Sequence, residues 1–221
     1  MIITIDGPSG TGKSTIARLL ANRLRVSFFD TGAVYRALAW WIHIREISTD
    51  RIVEHLPEFS FFIEDDGQNK QYFVLATNVT EEIRKKEITE KASKIAAIKE
   101  VRESLLPIQR DYAEKHDSVF EGRDLGTVVF PKADVKIFLT ARADVRAERR
   151  FLEMQQKNPN QILKKEEVLE ALEERDAQDA GREIAPLKCP EGAFVLDTSD
   201  LTISEVVDKL YDYICKVGAG K

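Results

Sequence analysis

A chain of 221 residues holds enough material for one substantial core, and no Pro/Gly/Ser-rich linker divides it, so the composition points to a single domain, 1–221, with insertions. The formal net charge of −5 argues against nonspecific nucleic-acid binding. With no apolar stretch near the roughly 20 residues of a membrane span and no charged leader ahead of an apolar run, we expect a cytoplasmic protein.

The first predicted element is a strand. Ile2, Ile3 and Ile5 are β-branched with no charge between them, as in a strand covered on both faces. Gly7 to Ser14 then fits G-x-x-x-x-G-K-[ST] at every position, and Ile16, Ala17, Leu19, Leu20 and Leu24 follow at helical spacing. This is the pattern of a phosphate-binding loop. Its free N–H groups and the helix dipole favour an anion, Lys13 adds a point charge, and Ser14 offers a hydroxyl to Mg²⁺. Gly7, Gly10 and Gly12 are expected in backbone conformations that residues with a Cβ avoid.

A short strand, Val26–Phe29, leads to Asp30-Thr31-Gly32 and a helix carrying Val34, Leu38, Trp41 and Ile42. Either Asp30 or Thr31 can cap it, and Arg36 is by itself equally a ligand contact or a solvated charge. From about 47 to 96 the alternation is interrupted by a hairpin pattern, Phe59–Ile63 and Gln71–Ala76 around a turn-forming cluster, read as an inserted subdomain. Helix is expected over Thr80–Lys91 and Ala92–Lys115, with a kink or division at Pro107. Ser93 and Arg102, nine apart, would fall on opposite sides of a straight helix, so spacing does not join them.

Val119–Glu121 runs into Gly122-Arg123-Asp124-Leu125-Gly126-Thr127, a turn at a strand's carboxyl end in which Arg123 is a ready phosphate fork. Val135–Leu139 is a further buried strand, followed by Arg142 just ahead of a helix with Arg146, Arg149 and Arg150, and a polar tip over Met154–Asn160. On the next helix Arg175, Asp179 and Arg182 share one face, which by periodicity alone is an ordinary ion-pair stripe. Ala193–Leu196 and a closing helix from Leu201 to about Val217 complete five core strands, each followed by a helix. Cys189 and Cys215 lack C-x-x-C spacing and form neither a disulfide framework nor a zinc site; we expect both to be reduced and structural. No metal spacing involves His43, His55 or His116.

The phosphate-loop run, Asp30-Thr-Gly-Ala-Val-Tyr-Arg36, Glu121-Gly-Arg-Asp-Leu-Gly-Thr-Val-Val-Phe-Pro131 and Glu174-Arg-Asp…Asp179…Arg182-Glu-Ile-Ala-Pro-Leu187 together resemble the bacterial cytidylate kinases over essentially the whole chain. The resemblance implies an α/β fold of adenylate-kinase type: a five-stranded parallel sheet flanked by helices, with a nucleotide-monophosphate-binding insert and an arginine lid at about 146–165. It implies ATP and CMP or dCMP as substrates with Mg²⁺ held through Ser14. The donor would be bound by Gly7, Pro8, Ser9, Gly10, Thr11, Gly12, Lys13, Ser14, Thr15, Arg146 and Arg150.

In the same resemblance Arg36, Arg123 and Arg182 hold the acceptor's phosphate, Arg175 and Asp179 its sugar, and Ser93, Arg102 and Asp124 its base, with Thr31 where relatives often have serine. Lys13, Arg123, Arg149 and Arg182 would be the catalytic groups. Glu121 stands where aspartate is frequent in the family. A monomer with no nucleic-acid or membrane partner is expected. Two other readings share the loop: a small P-loop kinase with a different acceptor, and a nucleotide-binding module with no acceptor.

Overall fold

The structure, a computed structural model, describes residues 1–65, 70–157 and 163–219. It divides into two compact units, Met1–Phe29 with Ala113–Lys221, and Asp30–Tyr112.

The first unit is built on a five-stranded sheet of β1 (Ile2–Asp6), β2 (Ser27–Asp30), β6 (Ser118–Glu121), β7 (Val135–Thr140) and β8 (Phe194–Asp197), in the order β2-β6-β1-β7-β8. The central β1 is parallel to both β6 and β7, and β7 is parallel to β8, as expected for an α/β fold. Ile3 and Ile5 on one face and Thr4 and Asp6 on the other are all fully buried, which is why the strand reads as a run without exposed charge. Helices α1 (Lys13–Leu24) and α8 (Ile203–Ala219) cover the isoleucine face: Ile16, Leu20, Val206, Leu210 and Ile214 join Ile3, Ile5, Ile137 and Leu139 in one core. Each such side chain taken wholly out of water contributes about 1.5–3 kcal/mol. A smaller core, Ala147, Val168 and Leu172 with Phe151, joins α6 (Ala143–Lys157) to α7 (Lys165–Ala180). The polar tip expected over Met154–Asn160 reaches positions 158–160, outside the described residues.

Not every strand is followed by an α-helix. After β6 the chain makes one π-helical turn, Leu125–Val129. The carbonyl of Asp124 accepts from the N–H of Val128 at 2.8 Å and of Val129 at 3.3 Å. Pro131 prevents continuation, because its ring forces Phe130 out of helical geometry (φ −130°, ψ 64°).

In the second unit α2 (Thr31–Ile44) is apolar nearly all round, and Ala33, Val34, Ala37, Leu38 and Ile42 are wholly buried, as a helix inside a core must be. Against it pack α4 (Lys86–Ile95) and β4 (Lys70–Val74), with Ile88, Ile95, Tyr72 and Val74 buried. The expected hairpin is present as β3 (Phe61–Asp65) and β4 (Lys70–Val74), antiparallel from Phe61↔Val74 to Asp65↔Lys70, and β5 (Thr77–Asn78) adds a third strand. Its turn, 66–69, lies outside the described residues. A one-turn helix, α3 (Ile52–His55), precedes the hairpin.

Pro107 does not divide the helix. It sits inside α5 (Lys99–Lys115), where it and Glu103, whose carbonyl loses its donor, are both exposed. The break falls earlier, between α4 and α5, where Ala97 N–H and Ile98 N–H turn back to the carbonyls of Lys94 and Ile95. Cys189 and Cys215 are free and exposed, surface thiols rather than core residues. Among the described residues no helix is long and apolar enough to cross a membrane.

Candidate functional site

The loop between β1 and α1 takes its shape from close approaches that only glycine allows. At Gly7 (φ +147°) a Cβ would lie 2.1 Å from the carbonyl oxygen of Leu139, and at Gly10 (φ +78°) 3.1 Å from Cβ of Arg146. Gly12, also at positive φ (+88°), delivers Lys13 and Ser14 to the first turn of α1. Lys13 folds back over the loop: Nζ donates to the carbonyl of Pro8 at 2.6 Å and to Thr11 Oγ1 at 3.4 Å. Burial holds its pKa well below the ordinary lysine value, and the charges of Arg123 and Arg175 press it lower, against Glu121 and Asp176. Cations crowded to their mutual disadvantage are what a polyphosphate would relieve.

Ser14 Oγ donates to Glu121 Oε1 at 2.6 Å, joining the start of α1 to the carboxyl end of β6. The longer glutamate reaches the hydroxyl, so its presence in place of aspartate leaves a carboxylate at the loop. Thr15, next on α1, is exposed in the helix's first turn.

Arg123 joins the loop to Asp179 on α7. Its Nη2 donates to Ser9 Oγ at 3.0 Å and its Nε to Asp179 Oδ2 at 3.0 Å, while Arg182 donates to the other oxygen of Asp179. Asp179 is only 2 % exposed and lies between the two arginines. Arg182 is past the end of α7, not on the helical face that spacing suggested, yet the chain turns back far enough for the pair to form. Arg175, on α7, acts on Lys13 through its charge.

The arginines of α6 separate. Arg146 is buried: Nε donates to Ala141 O at 3.1 Å, and Nη1 to Ser9 O at 2.9 Å and to Asp176. Arg149 donates twice to Thr198, to Oγ1 at 3.0 Å and to the carbonyl at 2.6 Å, and partial burial lowers its pKa. Arg150 pairs with Glu153 at 2.8 Å on the exposed side of α6 and is not drawn to the loop.

Asp124 is buried at the start of the π-helical turn, and its charge helps to raise the pKa of Asp6. Asp6, with burial as the larger cause, is pushed up to about 6; Oδ1 accepts from Leu125 N–H at 2.9 Å and Oδ2 from Gly126 N–H at 2.8 Å. Asp6 thus ties the end of β1 to the turn that presents Arg123 and Asp124. A carboxylate ending an apolar strand was a signal for it in the sequence. Asp176 adjoins Arg175 in the sequence but carried no separate signal, and Thr198 carried none.

In the second unit Asp30, not Thr31, caps α2, and Thr31 is buried in its first turn. Arg36 Nη2 donates to Asp30 Oδ2 at 2.7 Å. Ser93 lies on α4 and Arg102 on α5, so the straight-helix argument against joining them does not apply. Arg102 turns back to the end of α4: Nη1 donates to Ala96 O at 3.1 Å, and the guanidinium stands 5.5 Å from the ring centroid of Tyr35.

A family model described as "Cytidylate kinase" matches residues 3–216. The chain is 51 % identical over 218 residues to "Cytidylate kinase" of Protochlamydia amoebophila (strain UWE25), covering 96 % of each chain. It is 47 % identical over 215 residues to the protein of that name from Chlamydia felis (strain Fe/C-56), covering 95 % of this chain and 96 % of the relative. With that from Caldanaerobacter subterraneus subsp. tengcongensis the identity is 45 % over 222 residues, covering 99 % of this chain and 96 % of the relative. A match across nearly the whole length, together with a phosphate loop ringed by arginines, means that the chain belongs to the cytidylate kinase family.

Proposed function

We propose that this chain transfers the γ-phosphoryl group of ATP to CMP, and also to dCMP, giving ADP and the corresponding diphosphate. The observation that carries this reading is Arg123, whose one guanidinium reaches Ser9 in the phosphate loop and Asp179 beside Arg182. A kinase needs donor and acceptor phosphates held in fixed relation, and a bidentate side chain shared by the two groups supports that.

No strong base is needed. The second pKa of a phosphate monoester is about 6, so the attacking oxygen is already ionised at neutral pH, and the work is positioning and charge neutralisation. In this proposal residues 7–15 bind the donor with Arg146, and Lys13 neutralises its outer phosphates. Arg123 and Arg182 take the acceptor's phosphate; Arg175, Asp179 and Asp124 contribute to acceptor binding. Within the second unit, the resemblance to the family makes Thr31, Arg36, Ser93 and Arg102 acceptor-binding residues in this proposal. Arg149 and Arg150 belong in this proposal to a lid over about 146–165, of which 158–162 lie outside the described residues.

The Ser14 hydroxyl and Glu121 carboxylate, 2.6 Å apart, form a hard oxygen pair suited to Mg²⁺, which takes few protein ligands and completes its shell with phosphate and water. When bound there, the ion would screen charge on the donor phosphates. The protein acts in this reading as a cytoplasmic monomer.

ADP release measured with CMP, dCMP, UMP and AMP as acceptors tests the reading. CMP and dCMP should give the highest kcat/KM. Preference for another acceptor would make it a different small P-loop kinase, and nucleotide binding without acceptor-stimulated ADP release would make it a binding module.

A further inference from the structure

A glycine-rich loop has few side chains with which to hold its own curvature, so its shape depends on what grips it from outside. Ser9, between Gly7 and Gly10, is gripped on every polar group. Its N–H donates to Asp176 Oδ1 at 2.8 Å, its carbonyl accepts from Arg146 Nη1 at 2.9 Å, and its hydroxyl accepts from Arg123 Nη2 at 3.0 Å. Arg146 also donates to Asp176 Oδ2, which closes a ring through the Ser9 peptide. On α7, Asp176 is one turn ahead of Asp179, which holds Arg123 and Arg182. One helix therefore presents two carboxylates, the first to the donor loop and the second to the arginine pair.

We propose that Asp176 is a positioning residue for phosphoryl transfer, clamping the Ser9 peptide together with Arg146 so that the phosphate loop keeps its register with Arg123. The inference rests on the assignment of the loop to ATP. A carboxylate can serve beside an anion site because Arg146 neutralises it and both its oxygens are spent on the clamp. Removing it frees the loop to relax while Asp179 goes on holding Arg123 and Arg182, so the damage falls on the donor side.

The test is steady-state kinetics of Asp176→Asn, Asp176→Ala, Arg146→Ala and the Asp176→Ala/Arg146→Ala double variant, with binding of a non-hydrolysable ATP analogue and Tm for each. Asp176→Ala should raise KM for ATP by about tenfold or more, the worth of one charge-assisted hydrogen bond, and lower kcat, while KM for CMP changes less than about twofold. Asp176→Asn, which keeps an acceptor for Ser9 N–H, should recover part of the loss and decides the matter if the alanine variant does not fold. The double variant should lose no more than the worse single, as members of one unit do. A lowered Tm with kcat and both KM values unchanged, an equal rise in KM for CMP, or multiplicative losses would overturn the clamp. If the unsubstituted chain neither binds the analogue nor releases ADP with CMP, the ATP and CMP assignment falls; if it does both and the Asp176 variants match it, only the clamp falls.

Discussion

Asp30 and Arg36 are joined by one carboxylate with two tasks: Oδ1 caps α2 through the N–H of Ala33 at 3.0 Å, and Oδ2 accepts from Arg36 Nη2 at 2.7 Å. The start of the helix and the aim of the arginine are therefore one feature. Gly32 makes room for it, since a Cβ there would lie 2.7 Å from Arg36 Nη1 and 3.1 Å from Asp30 Oδ1. Gly32→Ala should push the guanidinium aside, which a flexible side chain permits without unfolding the helix. KM for CMP should rise by about tenfold, with KM for ATP and Tm close to unchanged, as expected for loss of one charged contact. Equal KM values for CMP in the two proteins would remove Arg36 from the acceptor site.

The Ser14–Glu121 pair makes a prediction about metal dependence. Glu121→Gln keeps the size and a hydrogen-bonding oxygen but loses the charge, and Ser14→Ala loses the hydroxyl. In both, the Mg²⁺ concentration giving half-maximal rate should rise by about 10–100-fold, with KM for CMP little affected. A Mg²⁺ titration of ADP release measures it, and superimposable curves would sink the assignment.

Base choice rests on Asp124 in our reading. Cytosine presents an amino donor at position 4 where uracil presents an acceptor, and a carboxylate can only accept. Asp124→Asn offers an amide that can do either, so discrimination between CMP and UMP should shrink by about 1–3 kcal/mol. The ratio of kcat/KM values for CMP and UMP reports it. An unchanged ratio with both rates lowered would mean that Asp124 supports the turn carrying Arg123 and does not read the base.

Asp6 gives the protein a pH dependence of unusual sign. Its pKa rises on folding from 3.8 to about 6, chiefly through burial, so between those values the folded state holds the proton more tightly than the unfolded state does. The stabilisation is complete below pH 3.8, declines as pH rises through about 6, and is absent above it; two pKa units correspond to about 3 kcal/mol. Asp6→Asn cannot titrate. Urea unfolding from pH 4 to 7 should show the difference between the two proteins changing across that window, and a constant difference would contradict it.

The legible features were those whose cause is local. A β-branched run without charge made the central strand β1, glycines at fixed spacing before Lys13-Ser14 made the loop, and a turn cluster between two apolar runs made the hairpin. Helix division was less legible: Pro107 was the obvious breaker, yet α5 runs through it because the orphaned carbonyl faces outward, and the break lies at Ala96–Ile98, where Arg102 takes the Ala96 carbonyl. By itself the sequence determined that there is a phosphate loop on a parallel sheet, with the arginines to accompany it. Tertiary structure decided which of those arginines grip the loop. Ser9 meets Arg123, Arg146 and Asp176 across separations of 114, 137 and 167 residues, while Arg150, four residues from Arg146, turns outward to Glu153. Periodicity assigns a residue to a face of its own helix, but which neighbour that face meets depends on how distant elements pack, and no local spacing carries that information.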